Sequence, residues 1–307
     1  MTDHSQDAIM ADAVLSERED PSQLAGMLNN RAIFWGGALL ILFALIAAIG
    51  PFLTLDPTEL NPIKRLKSPS AEAWFGSDFL GRDIFSRVVY GARVSLVVGI
   101  AVALISVGIG LILGLVAGYV RVLDAVIMRT MDGLMSIPAI LLAIALISLS
   151  GATLGTVILA IVIPEVPRVV RLVRAVVLTV REEPYVEAAI AAGTRLPLIL
   201  KRHILPNTIA PLIVQATYVC ASAMLTESIL GFLGAGIPPE IPSWGNIMSE
   251  GRTYFQISPW IIFFPGIGLA LTVLAVNIIG LALTVLAVNI VGDGLRDTLD
   301  PRIARKI

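Results

Sequence analysis

Three ionisable residues lie within or beside long apolar stretches of this 307-residue sequence, where charge is costly. Glu165 occurs in the segment IPEVPR with Arg168 three residues later, and Glu227 occurs in MLTESILGFLG without a basic neighbour. Such groups indicate a solute or proton pathway, or a polar contact between helices. For Glu165 and Arg168 we favour mutual neutralisation at the cytoplasmic end of a membrane span. For Glu227, a pathway role and a structural, hydrogen-bonded role fit the sequence equally well.

Motifs for enzymatic chemistry are missing from the sequence. It contains no G-x-x-x-x-G-K-[ST] phosphate loop and no Gly-Lys pair, so the chain cannot bind ATP in that way. It also lacks H-E-x-x-H and G-x-S-x-G. The single cysteine, Cys220, cannot form an intrachain disulfide, and the two histidines, His4 and His203, form no zinc pattern. We therefore expect no catalytic residue, metal or cofactor in this chain.

Apolar runs dominate the sequence and predict an all-α integral membrane protein. Hydrophobic residues make up 56% and charged residues 15% of the chain, against about 45–50% and about 25% in soluble domains. A span needs roughly 20 apolar residues. We predict six transmembrane helices, of which the third and fourth are separated only by Ser150 and Gly151. The predicted spans cover about 32–53, 95–120, 134–149, 152–170, 209–233 and 259–292.

These spans define the organisation and orientation of the chain. With both termini inside, the inner side carries fifteen of the 22 basic residues, as the positive-inside rule requires. The first outer loop carries most of the other seven and opposes this assignment. The predicted parts are a polar tail (1–30), a first transmembrane helix (31–55), an outer loop (56–93), a core with five further helices (94–292) and a C-terminal tail (293–307).

A glycine strip follows one face of the second span. Gly110, Gly114 and Gly118 recur every four residues, so that another helix backbone can approach closely. Ordinary helix packing inside one subunit is the interpretation that we favour, and a contact between subunits is the alternative.

The last span contains a tandem duplication. The dodecamer GLALTVLAVNII (268–279) is followed directly by GLALTVLAVNIV (280–291). As helix, twelve residues add about 18 Å and rotate the second copy by about 120°, so the two copies face different neighbours. We expect one long helix, since no polar turn separates the copies.

The charged loop between the fourth and fifth spans, at about residues 179–207, has the pattern of a helix–turn–helix. Glu187 to Ala192 favours helix through four alanines, and Gly193 permits a sharp change of direction. Pro197 can begin a second short helix, which we expect Pro206 to end before the fifth span. A solvated connecting loop and an element gripped by another protein fit the composition about equally well.

The same loop resembles the EAA loop of permease subunits from binding-protein-dependent ABC importers. Its pattern is E-A-A, three residues, Gly, nine residues, then I-x-L-P, and His203 stands here at the Ile position, as in the RHILPN form of the peptide/nickel branch. Residues 75–96, 227–251 and 292–302 are similar to other signatures of that branch, and the order of charged blocks matches its C-type subunit. The residues that match the EAA pattern are Glu187, Ala188, Ala189, Gly193, Leu205 and Pro206.

The resemblance implies a type I ABC importer permease fold in the bacterial inner membrane, with both termini cytoplasmic. It implies a second, related permease subunit, cytoplasmic ATPase subunits that receive the EAA loop and hydrolyse ATP, and a periplasmic or lipid-anchored binding protein that delivers peptides or related solutes. Two alternatives remain open at this point. One is a secondary transporter or channel without an ATPase, and the other is a membrane scaffold.

Overall fold

The computed structural model describes the backbone of residues 31–299 and the side chains of residues 34–284. Within these ranges every regular segment is helical. The predicted tail 1–30 and the end of the predicted tail 293–307 lie outside them. The α-helices are α1 (Arg31–Leu53), α2 (Ile84–Tyr119), α3 (Arg121–Met135), α4 (Ala139–Ser150), α5 (Leu154–Arg181), α6 (Pro184–Ala191), α7 (Leu196–Ile199), α8 (Leu205–Phe232), α9 (Trp244–Gly251) and α10 (Trp260–Leu299).

Four described helical segments are long and apolar enough to cross a membrane: Phe34–Leu53, Ile84–Tyr119, Leu196–Phe232 and Trp260–Thr284. Helices α3 and α4 are bent by 87° relative to each other and bring the number to five if they form one broken span. Helix α5 has the length of a span but carries charged residues along its middle. The all-helical membrane fold is thus confirmed, and the number of six spans stays a prediction.

Helix α2 begins at Ile84, within the stretch 56–93 that the sequence analysis assigned to the outer loop. The Asp83 carboxylate caps it by accepting a hydrogen bond from the Ser86 amide at 2.8 Å. The first turn also carries Arg87, which is fully buried and whose charge is neutralised by Asp78 at 2.6 Å. Because the cap and the ion pair offset the cost of these polar groups, the helix extends about ten residues beyond the apolar run.

A buried ion network fixes the outer loop to the helices. Asp78 binds both Arg82 and Arg87 at 2.6 Å, and Glu250 on α9 binds Arg87 at 2.6 Å. Two arginines and two carboxylates balance in charge, as burial of ions requires. The loop therefore forms a folded cap on α2 and α9. The motif FGSDFLGRDIFSR supplies three of the four charges, and sequence analysis did not assign them this role.

The glycine strip lies at the contact between α2 and α5. A Cβ atom at Gly110, Gly114 or Gly118 would come within 2.5–2.6 Å of the Cβ atoms of valines 169, 173 and 177. Residue numbers rise together along both helices, so the helices run parallel. The three glycines thus pack inside one chain, on the branched side chains of α5.

The duplicated dodecamer belongs to one helix. Gly268, which starts the first copy, lies against Trp244, whereas Gly280, which starts the second, lies against Thr217 of α8. The two threonines that follow, Thr272 and Thr284, each donate to the carbonyl four residues earlier at 2.8 Å. The copies repeat local geometry but meet different neighbours, because twelve residues do not complete whole helical turns. Side chains beyond residue 284 lie outside the described part.

Candidate functional site

The loop at 179–207 forms two helical pieces joined at Gly193. Helix α6 ends with the amide of Gly193 donating to Ile190 at 2.9 Å and that of Thr194 donating to Ala189 at 3.1 Å, the two bonds of a Schellman motif. Gly193 has φ +76°, a left-handed conformation that favours glycine. The turn predicted from the sequence lies at this residue.

The second helical piece does not stop at Pro206, and this expectation was wrong. Helix α7 continues through a π-helical segment, Leu200–Ile204, directly into α8. The Leu205 amide donates to the carbonyl of Leu200, five residues back. Pro206 has no amide hydrogen to give, and the wider π turn accommodates the missing α-helical bond. The loop is therefore continuous with a membrane helix.

Three apolar side chains anchor the loop to the core. Val186 on α6, together with Ile199 and Ile204, is buried in the same cluster as the valines of α5. The isoleucines are five residues apart, a spacing that a π turn can bring to one side and an α-helix cannot. The five-residue spacing of Ile199 and Ile204 does not by itself predict a π turn, because it can be interpreted only once that turn is known.

The outward side of the loop is left open. Of the residues that match the E-A-A pattern, four are exposed: Glu187, Ala188, Gly193 and Pro206. The other two, Ala189 and Leu205, are half-buried. The same side also exposes four large apolar or aromatic residues: Tyr185, Ile190, Leu196 and Leu198.

A polar contact joins the two halves of the loop. The Asn207 side-chain amide donates to the His203 carbonyl at 2.6 Å and to the Tyr185 hydroxyl at 3.3 Å. Partial burial and the neighbouring Glu183 carboxylate raise the pKa of the Tyr185 phenol, so it stays protonated near neutral pH. The side chain at the departure from the E-A-A pattern, His203, lies against the Tyr185 ring, with the ring centroids 5.8 Å apart.

Glu165 and Arg168 lie near the middle of α5, and their place at the cytoplasmic end of a span stays a prediction. Helix α5 continues to Arg181, well beyond the end expected at residue 170. The parallel helix α2 is uncharged from residue 94 to residue 120, and the midpoint of that stretch is Val107. Since Gly110 contacts Val169, Glu165 and Arg168 are level with that midpoint.

Glu165 and Arg168 form an ion pair, and two side chains of α8 contact it. Arg168 Nη1 donates to Glu165 Oε1 at 3.1 Å, and the Ser222 hydroxyl donates to the same oxygen at 3.0 Å. The Arg168 guanidinium lies 6.0 Å from the centroid of the Tyr218 ring. Glu165 is buried, whereas the Arg168 side chain is 40% exposed. Ser222 and Tyr218 were not predicted from the sequence, although their spacing of four residues on α8 was a signal for a shared helix face.

Glu227 is 0% exposed and lies near the outer end of the membrane region. Its Oε2 accepts hydrogen bonds from Ser95 of α2 at 3.3 Å and from Ser228 at 3.4 Å. Ser95 is the second residue of the uncharged stretch of α2, which places Glu227 far from Glu165 in depth. Because no part of Glu227 reaches a surface, the geometry favours a structural carboxylate over a pathway residue.

Ion pairs connect α3 with the C-terminal half of α5. Arg171 Nη2 lies 2.5 Å from an oxygen of Asp132, and Arg174 Nη2 donates to Asp124 at 2.7 Å. Asp124 and Asp132 are eight residues apart and so lie on similar sides of α3. They fix the bent helix pair against the segment that leads into the loop.

Residues 106–305 match the protein family described as "Binding-protein-dependent transport system inner membrane component". The chain belongs to this family. It is 54% identical over 274 residues to the "Probable peptide ABC transporter permease protein y4tQ" of Sinorhizobium fredii, covering 89% of this chain and 90% of the relative. It is 44% identical to the dipeptide transport system permease protein DppC of Alkalihalophilus pseudofirmus, covering 90% and 87%. It is 38% identical to DppC of Bacillus subtilis, covering 91% and 84%.

Family membership decides between the alternatives left open by the sequence. The chain is a multi-pass permease subunit of an ABC importer in the inner membrane, and not a secondary transporter. As a permease subunit it is a non-catalytic component, and ATP hydrolysis lies in a separate subunit.

Proposed function

We propose that this permease is one of two related, non-identical membrane subunits of an ATP-driven importer of peptides or related small solutes. A periplasmic or lipid-anchored binding protein delivers the solute, and cytoplasmic ATPase subunits receive the loop at 179–207. The names of the relatives support peptides as the solute class. Both termini are cytoplasmic in this proposal, which puts the loop on the side where ATP is available.

The continuity of the loop with α8 is the observation that carries the coupling role. Val186, Ile199 and Ile204 are buried in the core, while Glu187 is open to a partner. A displacement of α7 is therefore transmitted into α8 through continuous helix, and the Schellman turn at Gly193 joins α6 to this unit. ATP can shift the inward–outward equilibrium only through contacts that differ between the two states, and this loop offers such contacts. The roles of Glu187, Ala188, Ala189, Gly193, Leu205 and Pro206 follow as part of this proposal.

Charge reversal at Glu187 tests the coupling. The importer is reconstituted in liposomes with its ATPase subunits and binding protein, and uptake of a labelled peptide is measured with and without ATP. We expect Glu187→Lys to abolish ATP-dependent uptake while the subunit still reaches the membrane, because the side chain is exposed and not needed for folding. Gly193→Trp should have the same effect, because its backbone at φ +76° is strained for any residue with a side chain.

Glu182→Lys is the matched control. This exposed glutamate follows the end of α5, where a positive charge is tolerated by the helix dipole, and it precedes α6. Normal uptake in both Glu187→Lys and Gly193→Trp would refute the coupling role. Peptide uptake by the wild-type permease without ATP and without the ATPase subunits would refute the importer itself.

A further inference from the structure

One open face of the membrane region is polar. On α8, Gln215, Tyr218 and Ser222 recur at intervals of three and four residues, which places them on one side of the helix. Tyr218 is 50% exposed and Arg168 of α5 lies over its ring. The face formed by these four residues is called the polar face here.

The depth of this face makes contact with lipid tails costly. Arg168 is level with the midpoint of the 94–120 stretch of α2, as the contact between Gly110 and Val169 shows. That stretch is about 40 Å long as helix, against a hydrocarbon core of about 30 Å. A guanidinium at this depth is stable only beside water or a polar partner.

Other open surfaces of the membrane region have the composition expected for lipid. The exposed residues on the far side of α2 are apolar, with Leu104 at 69% exposure. Those described on α10 are apolar apart from Asn277, whose side-chain amide donates to the Val273 carbonyl of its own helix at 2.9 Å. The contrast between the two surfaces is chemical and independent of any burial argument. The exposed residues of the apolar surface are Val97, Ile100, Leu104, Ile112, Phe263, Ile267, Leu271 and Leu274.

The charge that reaches the polar face is positive. Glu165 is buried beneath it and holds Arg168 through Nη1 alone, with Ser222 as its second partner. Among the described residues, Nε and Nη2 of Arg168 donate no hydrogen bond, and the Tyr218 hydroxyl makes none. A guanidinium edge with two such donors matches a carboxylate in a bidentate arrangement.

We propose that the polar face lines the solute passage and that Arg168 binds the carboxylate of the passing peptide, positioned by Glu165, Ser222 and the ring of Tyr218. The inference rests on the proposed function as a peptide importer. Because binding must be weak enough for release, the buried Glu165 has a second role. It offsets part of the positive charge of Arg168 and prevents tight retention of the anion.

Access of water is tested with single cysteines in the complete importer. A Cys220→Ser chain lacks cysteine altogether, because Cys220 is its only one. In this background, Tyr218→Cys should react with a membrane-impermeant charged maleimide in at least one of the nucleotide-free and ATP-bound states. An excess of peptide should slow the reaction. Leu104→Cys, which is more exposed than Tyr218 but lies on the apolar surface, should stay unreactive. Equal, negligible reactivity of Tyr218→Cys and Leu104→Cys in both states would overturn the proposal.

Recognition of the carboxylate is tested by uptake of paired peptides with a free or an amidated C-terminus. Arg168→Gln should lower uptake of the free-carboxylate peptides about tenfold or more, relative to wild type, because a charge-assisted bond is lost. Uptake of the amidated peptides should change little. Any preference of the binding protein for one class of peptide does not affect the result, since uptake of each peptide is expressed as the ratio of variant to wild type. Arg171→Gln is the matched control, similarly exposed and paired with Asp132, and it should leave the ratio unchanged.

The outcomes separate this site from the proposed function. Equal loss for both peptide classes in Arg168→Gln, or loss of the second permease subunit from the purified complex, would assign Arg168 to structure or to a subunit contact and overturn the site. Absence of ATP-dependent uptake of every peptide by the wild-type importer would instead overturn the proposed function, and this inference with it.

Discussion

Two buried glutamates in this permease have different surroundings, although both interrupt apolar sequence. Glu165 has a cation beside it and lies near the middle of α5, whereas Glu227 has only hydroxyl partners and lies near the outer end of the helices. We propose that Glu227, which has no exposed surface in this subunit, does not contact the solute. It joins α8 to Ser95 of α2.

Neutralising Glu227 should therefore have little effect on transport. In Glu227→Gln the amide oxygen can still accept from Ser95 and Ser228, so we expect uptake per assembled importer close to wild type for every peptide. Glu227→Leu leaves both hydroxyls without their acceptor and should reduce stability by about 1–3 kcal/mol. Uptake assays combined with thermal unfolding in detergent measure both. A selective loss of some peptides in Glu227→Gln would restore the pathway role.

Close approach of α2 and α5 depends on three glycines and three valines. The helices run parallel, so the strip and the valines stay in register over two turns, from Gly110 to Gly118. This contact also fixes the depth of Arg168 and the direction in which α5 leaves the membrane toward the coupling loop. The contact between α2 and α5 thus links the position of the polar face to that of the coupling loop.

Filling the strip should separate the helices. Gly114→Leu places new atoms where a Cβ would already lie 2.5 Å from Val173 Cβ, and overpacking of this kind costs about 1–3 kcal/mol. We expect a fall of several degrees in the unfolding midpoint of the purified subunit, and a lower yield of the complex. Gly108→Leu on the same helix is the control, because nothing lies within 4 Å of its Cβ position. Equal stability of the two variants would contradict the packing assignment.

The orientation of the chain in the membrane is a property of the whole molecule. The proposed coupling role depends on it, because the loop at 179–207 must face the ATPase subunits. The outer cap contains the balanced network of Asp78, Arg82, Arg87 and Glu250, so two of the six basic residues in 56–93 are neutralised by buried carboxylates. The network reduces the exception to the positive-inside pattern in residues 56–93, and Lys64, Arg65, Lys67 and Arg93 still oppose it. With both termini inside, as we propose, the coupling loop lies on the cytoplasmic side.

An epitope tag test should show this topology directly. A tag at the C-terminus is expected to be reached by antibody only after cells are opened or in inverted vesicles. A tag after Ser70, in the exposed outer loop, should be reached from outside in spheroplasts. Both insertions leave the helices intact, so uptake activity serves as the control for folding. Access to the C-terminal tag from the outside would reverse the orientation and remove the coupling role of the loop.

The sequence by itself determined the class of molecule and the turn at Gly193. Long apolar runs specify membrane helices because the backbone must satisfy its own hydrogen bonds in lipid. The E-A-A pattern with its glycine specifies a helix and a left-handed turn through local preferences alone. Family membership also followed from motifs that are read along the chain.

The tertiary structure decided what depends on neighbours distant in sequence. The depth of Arg168 follows from the register between α2 and α5, and its partners Tyr218 and Ser222 come from a helix some fifty residues later. The passage of the helix through Pro206 required a π turn, which local propensity does not indicate. Burial separated Glu227 from the polar face, because burial is a property of packed helices and is not encoded in the neighbouring residues of the chain.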